Sequence, residues 1–167
     1  MGKTTVSVNL AYSLARRGWN TLLVDTDPQG SVGLSLSEKA RKCQGFYDAV
    51  HTGVSVLPLI LPTRLPELNL LTAGQSHSFF GSGHESMDTL AALRRMVAEI
   101  ATRPFDLVIF DTPATNANAD ALTVGAAAGY ALVVARRNFS FFNDVSTLVS
   151  QLASARCPVI GSVLNEF

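Results

Sequence analysis

The chain has 167 residues, of which 47% are hydrophobic and 16% are charged, and its 13 basic and 13 acidic residues leave no net charge. This length suits one domain with a single core, and the composition excludes a disordered chain or a coiled coil. No basic run marks a nucleic-acid surface, so DNA binding is not supported by this segment. Cys43 and Cys157 have no metal-like spacing, no secretory signal precedes them, and no apolar run approaches the roughly 18 residues of a membrane span. We therefore expect a soluble, cytoplasmic protein with reduced thiols.

The first half of the chain predicts a helix, a strand and a segment that is hard to interpret. Apolar residues recur at helical spacing at Val6, Leu10 and Leu14, and Gly18 marks the end of this helix. The run TLLVDTD, residues 21–27, predicts a buried parallel strand that ends in carboxylates. Residues 37–83 contain three prolines and a polar stretch rich in Gly, Ser and His, and they predict only one strand, LNLLTA.

The second half alternates regularly between helix and strand patterns. Helices are predicted at 87–103, 119–129 and 142–155, and strands at 105–113, 131–136 and 158–165. Such alternation predicts an α/β fold, with a mainly parallel sheet, helices on both faces and a ligand at the carboxyl ends of the strands.

The sequence GKTT at residues 2–5 is the closing half of a phosphate-binding loop, followed by a helix. Backbone amides at the start of such a helix can hold phosphate oxygens, and Gly2 lets the backbone approach them closely. Lys3 can reach the terminal phosphates, and the hydroxyl of Thr4 can ligate magnesium. These residues predict a nucleotide site, although a Gly-Lys-Thr triplet also occurs by chance.

Four polar residues fall at predicted strand ends. Asp25 and Asp27 lie at the tip of one strand, where two carboxylates repel each other unless a cation or a positioned water lies nearby. Asp111 ends a second strand, at the position where an acid commonly holds a magnesium-bound water. Asn165 ends the last strand, where a carboxamide could recognise a base edge. The alternative for any one aspartate is a helix cap or a turn.

The stretch GKTTVSVNLAYSLARRGWNTLLVDTDPQGS resembles the ParA/MinD superfamily of deviant Walker-A P-loop ATPases, whose motifs read Lys-Gly-Gly-x-Gly-Lys-Thr-Thr and Asp-x-Asp-Pro-Gln-Gly. The stretches FDLVIFDTPA, ADAL and CPVIGSVLNEF are similar to a sister group, the bacterial tyrosine kinases associated with exopolysaccharide assembly. The resemblance covers essentially the whole chain and implies a P-loop NTPase-like fold that uses ATP and Mg²⁺.

The resemblance also implies roles for individual residues. Lys3, Thr4 and Thr5 would bind phosphates and magnesium, and Lys3 would act with Asp27 in catalysis. Asp27 would orient the attacking water. The implied metal ligands are Thr4, Asp25 and Asp111, and Asn165 would face adenine.

Two departures from the family pattern stand out. The Lys-Gly-Gly that should precede Met1 is absent, so the lysine that reaches across a dimer in this family cannot be assigned here. The only tyrosines are Tyr12, Tyr47 and Tyr130, so autophosphorylation on a tyrosine-rich tail is not supported.

We expect the start of the chain to be misplaced, because valine often precedes Gly-Lys-Thr in this family and bacterial genes can start at the valine codon GTG. The upstream DNA would then encode an apolar strand followed by Lys-Gly-Gly. Residues 1–167 would form a single, incomplete domain without its first central strand, which belongs beside DLVIFD. A structure should show a gap of roughly 9 to 10 Å there, or a collapse that pairs DLVIFD with ALVVAR. Phosphate binding should be weak because half the amide cradle is missing.

The implied function is an ATP-hydrolysing switch, with a nucleotide-dependent homodimer as one expected form. Its partner would be a membrane protein of exopolysaccharide assembly, which would recruit the chain to the inner membrane, or a DNA or protein cargo that it partitions. A degenerate module that binds a partner without hydrolysis is the third alternative. Phe139, Phe141 and Phe142 are expected in the core, or in a staple at a helix start, rather than in a docking patch.

Overall fold

The computed structural model describes residues 2–30, 32, 43–75, 86–113 and 119–166. The helices in these ranges are α1 (Lys3–Ala15), α2 (Phe46–Thr52), α3 (Ser86–Ile100), α4 (Ala119–Ala128) and α5 (Phe142–Ser154). The strands are β1 (Thr21–Asp25), β2 (Leu61–Pro62), β3 (Leu68–Leu71), β4 (Leu107–Asp111), β5 (Ala131–Arg136) and β6 (Val159–Asn165). A short 3₁₀ turn, Leu57–Leu59, precedes β2. The predicted α/β alternation is confirmed.

One helix was not predicted. The helix α2 has only seven residues and begins after Gly45, whose backbone N–H donates to Asp48 Oδ2 at 2.9 Å. Phe46 and Tyr47 of this helix are fully buried. So short a segment shows too little periodicity for a sequence to reveal it, and burial of its two aromatic rings stabilises it instead.

Four strands form one sheet in the order β2-β3-β1-β4, with β1 parallel to both β3 and β4. All five residues of β1 are buried, which confirms the buried parallel strand that its apolar run predicts. Only β2 runs antiparallel, against β3. The sheet is therefore mainly parallel, as predicted.

The remaining two strands form a separate parallel sheet, β5-β6. The strands β4 and β5 are not paired with each other, and a groove of about 1000 Å³ lined by residues of both lies between them. The two strands are therefore separated, and the alternative in which they collapse into a direct pair is wrong. The predicted width of the gap, roughly 9 to 10 Å, stays a prediction.

Helices cover both faces of the larger sheet. Side chains alternate along β1, so that Leu22 and Val24 pack into a cluster with α2 and α3, whereas Leu23 packs with Ala11 and Ala15 of α1 on the opposite face. The structure confirms the predicted helices on both faces.

The helix α4 contributes to two clusters. Its Val124 packs against the cluster formed by α2, α3 and β1, and its Leu122 packs against a third cluster that contains Val133 of β5 and Leu152 of α5. This helix therefore links the two sheets through side-chain packing. No helix in the described ranges is long and apolar enough to span a bilayer.

Candidate functional site

The predicted polar residues meet at the carboxyl edge of the strands. Asp25 and Asp111 are register partners at the ends of β1 and β4. Arg136 and Asn165 are register partners at the ends of β5 and β6. Parallel pairing brings together residues that are distant in sequence, which is why this edge collects the candidate site.

Asp111 is buried, with 1% of its surface exposed, and Asp25 beside it is fully buried. Ser7 of α1 donates a hydrogen bond from Oγ to Asp111 Oδ1 at 3.0 Å, and Oδ2 is buried and has no hydrogen-bond partner in the part of the chain that the structure describes. Burial raises the pKa of Asp111, the hydroxyls of Thr4 and Ser7 lower it, and the charges of Asp27 and Lys3 add smaller effects of opposite sign. Lys3, Thr4 and Asp27 therefore lie near this carboxyl group.

This carboxyl group fits a magnesium ion. A buried carboxylate oxygen without a partner is costly, and a hard divalent cation would supply the missing partner. No group of three or more His, Cys, Asp or Glu side chains in the described ranges forms a ready cation cage. Mg²⁺ is usually bound through one or two carboxylates together with phosphate oxygens and waters, and Asp111 can serve as such a carboxylate.

The helix α1 begins at the same edge. Gly2 caps it with φ of 100°, a left-handed conformation that favours glycine, and no side chain caps the helix start. The N–H of Val6 donates to the Gly2 carbonyl oxygen at 2.9 Å. The backbone N–H groups before Val6 belong to the first turn, whose N–H groups have no carbonyl partner within a helix. Lys3 and Thr4 are half-buried and Thr5 is exposed. An anion is the natural ligand for these N–H groups.

Asp25 and Asp27 shape the loop that follows β1. Asp25 is fully buried, and its Oδ1 and Oδ2 accept hydrogen bonds from the backbone N–H groups of Asp27 and Val32, each at 3.0 Å. Asp27 is half-buried, and its Oδ1 accepts from the N–H of Gln29 at 2.9 Å. Asp25 thus holds the loop that presents Asp27 toward Asp111, and its support of a metal stays a prediction.

Three residues of this edge were missed by the sequence analysis. Thr26 donates to the Asp111 carbonyl oxygen from both its backbone N–H, at 2.9 Å, and its Oγ1, at 2.8 Å. The buried hydroxyl of Tyr47 donates to the Thr26 carbonyl at 2.7 Å. Ser7, the third, lies one helical turn after Lys3, and that spacing was the one available signal. These bonds lock the loop after β1 onto the end of β4.

Asn165 lies against the start of α1. A Cβ atom at position 2 would clash with Asn165 Nδ2. The last strand therefore reaches the phosphate-loop residues, and a side chain at position 2 would be excluded by this contact as well as by its φ value. The predicted role of Asn165 at adenine is not tested by this contact.

The aromatic cluster after β5 corrects an expectation. Phe139, Phe141 and Phe142 are 66%, 72% and 84% exposed, so their placement in the core was wrong. The guanidinium of Arg136 lies 4.2 Å from the ring centroid of Phe139, and Arg137 forms an exposed ion pair with Glu166 at 3.3 Å. The buried residue of α5 is Leu152, and the three rings at the start of the helix lie in solvent.

We expect Asp111→Asn to raise the free energy of unfolding at pH 7, without magnesium, by about 1 kcal/mol, because it removes a buried charge with an unpartnered oxygen. The raised pKa of Asp111 means that the folded state takes up its proton before the unfolded state does. The wild-type chain should therefore gain stability as pH falls. The difference in the free energy of unfolding between Asp111→Asn and the wild-type chain should shrink toward pH 4.

Urea unfolding in EDTA at pH 7 and pH 4.5, followed by the fluorescence of Trp19 beside β1, measures this difference for the transition of the β1 region. Asp144→Asn is the matched control, because Asp144 is exposed in the first turn of α5 and should give no gain. A loss of stability in Asp111→Asn that does not change with pH would contradict the assignment of a costly buried charge.

Comparisons with known proteins identify relatives over most of the chain. A family model described as an AAA domain matches residues 1–156. The tyrosine-protein kinase CpsD of Streptococcus pneumoniae is 27% identical over 99% of this chain and 70% of its own length. The chromosome partitioning protein ParA of Myxococcus xanthus is 34% identical over 68% of this chain and 40% of its own length.

A solved structure agrees with these relatives. The kinase domain of the Escherichia coli tyrosine kinase ETK superposes with a TM-score of 0.79 at 27% identity, covering 98% of this chain and 62% of that domain. The chain thus spans well under the full length of several proteins that it matches. Because the family model matches most of the chain, the chain belongs to the AAA domain family, within the ParA/MinD superfamily of P-loop ATPases and with similarity to its tyrosine-kinase group.

Proposed function

We propose that this chain is the nucleotide-binding part of an ATP-hydrolysing switch that regulates exopolysaccharide assembly. The observation that carries the proposal is Asp111 Oδ2, a buried oxygen that has no hydrogen-bond partner among the described residues and lies near Lys3, Thr4 and Asp27. Membership of a P-loop NTPase family supports nucleotide binding at this edge. The chain-long similarity to CpsD favours the tyrosine-kinase side of the superfamily over the partition side.

Each residue has a distinct proposed role. The first-turn N–H groups of α1 and Lys3 hold the phosphates, and Thr4 with Asp111 holds Mg²⁺, which would neutralise charge on the phosphate oxygens when bound. Asp27 orients the attacking water, on a loop that Asp25 keeps in place. Lys3 stabilises the charge that develops on the terminal phosphate.

The output of the switch is partner binding. We propose that two copies associate when ATP is bound, and that a membrane protein recruits this cytoplasmic chain to the inner membrane. The exposed phenyl rings of residues 139, 141 and 142 lie next to the carboxyl edge and supply apolar contact area for such association. A partition ATPase stays the second candidate because of the 34% identity with ParA.

Magnesium-dependent binding of ATP tests the proposal. The test protein is the extended chain, which we define as residues 1–167 preceded by the predicted apolar strand and Lys-Gly-Gly. Titration calorimetry should detect ATP binding that is at least tenfold tighter with Mg²⁺ than in EDTA, and Asp111→Asn should abolish this difference. Asp144→Asn, a change at an exposed acid, should retain it.

The outcomes separate the candidate functions. Binding that ignores magnesium in the parent protein contradicts the proposed site. Magnesium-dependent binding without multiple turnover identifies the degenerate partner-binding module. Turnover that double-stranded DNA accelerates favours the partition ATPase, and turnover that DNA leaves unchanged favours the exopolysaccharide switch.

A further inference from the structure

A buried tyrosine hydroxyl connects the helix α2 to the loop after β1. Tyr47 is fully buried, and its hydroxyl donates to the carbonyl oxygen of Thr26 at 2.7 Å. Thr26 is 1% exposed and donates in turn to the carbonyl oxygen of Asp111 from both its N–H and its Oγ1. Two successive contacts therefore link α2 to the end of β4, and the residue that follows Thr26 is Asp27.

The packing of the Tyr47 ring fixes the place of its hydroxyl. The ring belongs to the cluster that contains Leu22 and Val24 of β1 and Leu93 of α3. It also meets the ring of Phe46 edge-on, with 5.1 Å between the two ring centroids. An aromatic ring in a close-packed core has little freedom to move, so the hydroxyl holds the Thr26 carbonyl at one position.

The helix α2 is itself held at the carboxyl end of β3. The N–H of Tyr47 donates to the carbonyl oxygen of Ala73 at 3.0 Å. On the same helix, Asp48 Oδ2 accepts hydrogen bonds from the N–H groups of Gly45, at 2.9 Å, and Gln75, at 3.0 Å. These contacts tie the helix to the segment that follows β3, so α2 is a fixed support from which Tyr47 reaches the loop after β1.

We propose that Tyr47 is a positioning residue for ATP hydrolysis, because its hydroxyl fixes Thr26 and thereby the place of Asp27 relative to Asp111. The inference rests on the proposed function, in which Asp27 orients the attacking water and Asp111 holds magnesium. It adds a side chain that touches neither nucleotide nor metal and acts on the reaction only through the loop after β1.

The place of this loop should control the rate of hydrolysis more than the affinity for ATP. In the proposed site the phosphates bind to Lys3 and to the first-turn N–H groups of α1, which belong to a different element. The attacking water, in contrast, depends on Asp27, and a misplacement of about 1 Å can cost about 10²-fold in rate. Loss of the Tyr47 hydroxyl removes a donor from the Thr26 carbonyl and so releases the loop.

The first experiment asks whether the hydroxyl holds the loop, and it needs no nucleotide. Amide hydrogen exchange is compared between the 167-residue chain and Tyr47→Phe, which keeps the ring and removes the donor. We expect exchange at Thr26, Asp27 and Gln29 to accelerate at least tenfold more than exchange in β1, so that a general loss of stability is separated from loosening of the loop. Tyr130→Phe changes a side chain that is 67% exposed, before β5, and should leave exchange in the loop as in the parent.

The second experiment measures hydrolysis by the extended chain. Tyr47→Phe should slow single turnover at saturating ATP at least tenfold, while the calorimetric affinity for ATP changes less than twofold. A residue that only supports the fold would not separate these two quantities. Tyr130→Phe should hydrolyse ATP at the rate of the parent.

Variants of Thr26 test the same chain of contacts independently. Thr26→Val removes the Oγ1 donor to Asp111 and should slow turnover at least tenfold, whereas Thr26→Ser keeps a hydroxyl and should stay within threefold of the parent. The double variant Tyr47→Phe/Thr26→Val should be slowed by less than the product of the two single effects, because both side chains act through one loop.

Several results would overturn the proposal. They are loop exchange in Tyr47→Phe that accelerates no more than exchange in β1, turnover within threefold of the parent, equal losses of turnover and ATP affinity, and a Thr26→Ser variant as slow as Thr26→Val. If Tyr47→Phe does not fold, the two Thr26 variants decide by the same criteria. A parent protein that hydrolyses no ATP contradicts the proposed function instead, and the exchange result then decides whether Tyr47 holds the loop.

Discussion

Replacing Asp27 with alanine should slow ATP hydrolysis by the extended chain by about 10²-fold or more while leaving ATP affinity nearly unchanged. The physical reason is that Asp27 would orient the attacking water, whereas the phosphates would bind mainly to Lys3 and the helix start. The carboxyl group is half-buried at the carboxyl edge and close enough to Asp111 to raise its pKa. Single-turnover kinetics at saturating ATP, with calorimetric binding, measures both quantities.

The control for this prediction must separate chemistry from loop structure. Asp27 Oδ1 accepts the N–H of Gln29, and Asp27→Asn keeps an acceptor there while it loses the charge. We expect the asparagine variant to hydrolyse ATP as slowly as the alanine variant and to unfold at the temperature of the parent. Equal losses of binding and turnover in both variants would make Asp27 a structural residue.

Replacing Asn165 with alanine should reduce the preference for ATP over GTP by about tenfold. A carboxamide pairs with the N6 donor and N7 acceptor of adenine, but it meets the O6 acceptor in guanine, and such a bidentate pair contributes roughly 1 to 3 kcal/mol of discrimination. Competition between the two nucleotides for the extended chain measures the ratio directly.

The structure supplies the competing explanation for Asn165. Its Nδ2 lies against Gly2, so the residue could act by holding the start of α1 in place. In that case Asn165→Ala would weaken ATP and GTP equally, and the preference would not change. Ser162 is exposed on the same strand, and Ser162→Ala provides a control that should alter neither affinity.

Sequence patterns revealed the strands and helices with long, regular apolar periodicity. The apolar runs within 21–25 and 107–111 predicted two strands that end in carboxylates, and the structure has a strand at each place. Because both strands were predicted to be parallel, Asp25 and Asp111 were expected at one edge of the sheet. The gap beside β4 could also be predicted, since the family motif implies a strand there.

Other features depend on tertiary contacts that no local pattern encodes. The helix α2 exists because Phe46 and Tyr47 are buried, and a seven-residue segment carries too little periodicity to show this. Ser7 and Thr26 are common residue types whose roles depend on which partner the fold brings to them. The three exposed phenylalanines were misjudged because an apolar side chain suggests burial, although folded surfaces retain much apolar area.

The position of α4 between two side-chain clusters bears on how the protein unfolds. Its Val124 belongs to the cluster around β1, and its Leu122 belongs to the cluster around β5, while no ladder of backbone hydrogen bonds crosses between β4 and β5. The two halves are thus coupled by side-chain packing and not by a shared ladder of backbone hydrogen bonds between β4 and β5. We infer that denaturation of the 167-residue chain is not a single all-or-none transition: the β5, β6 and α5 region melts first, and the β1 region follows.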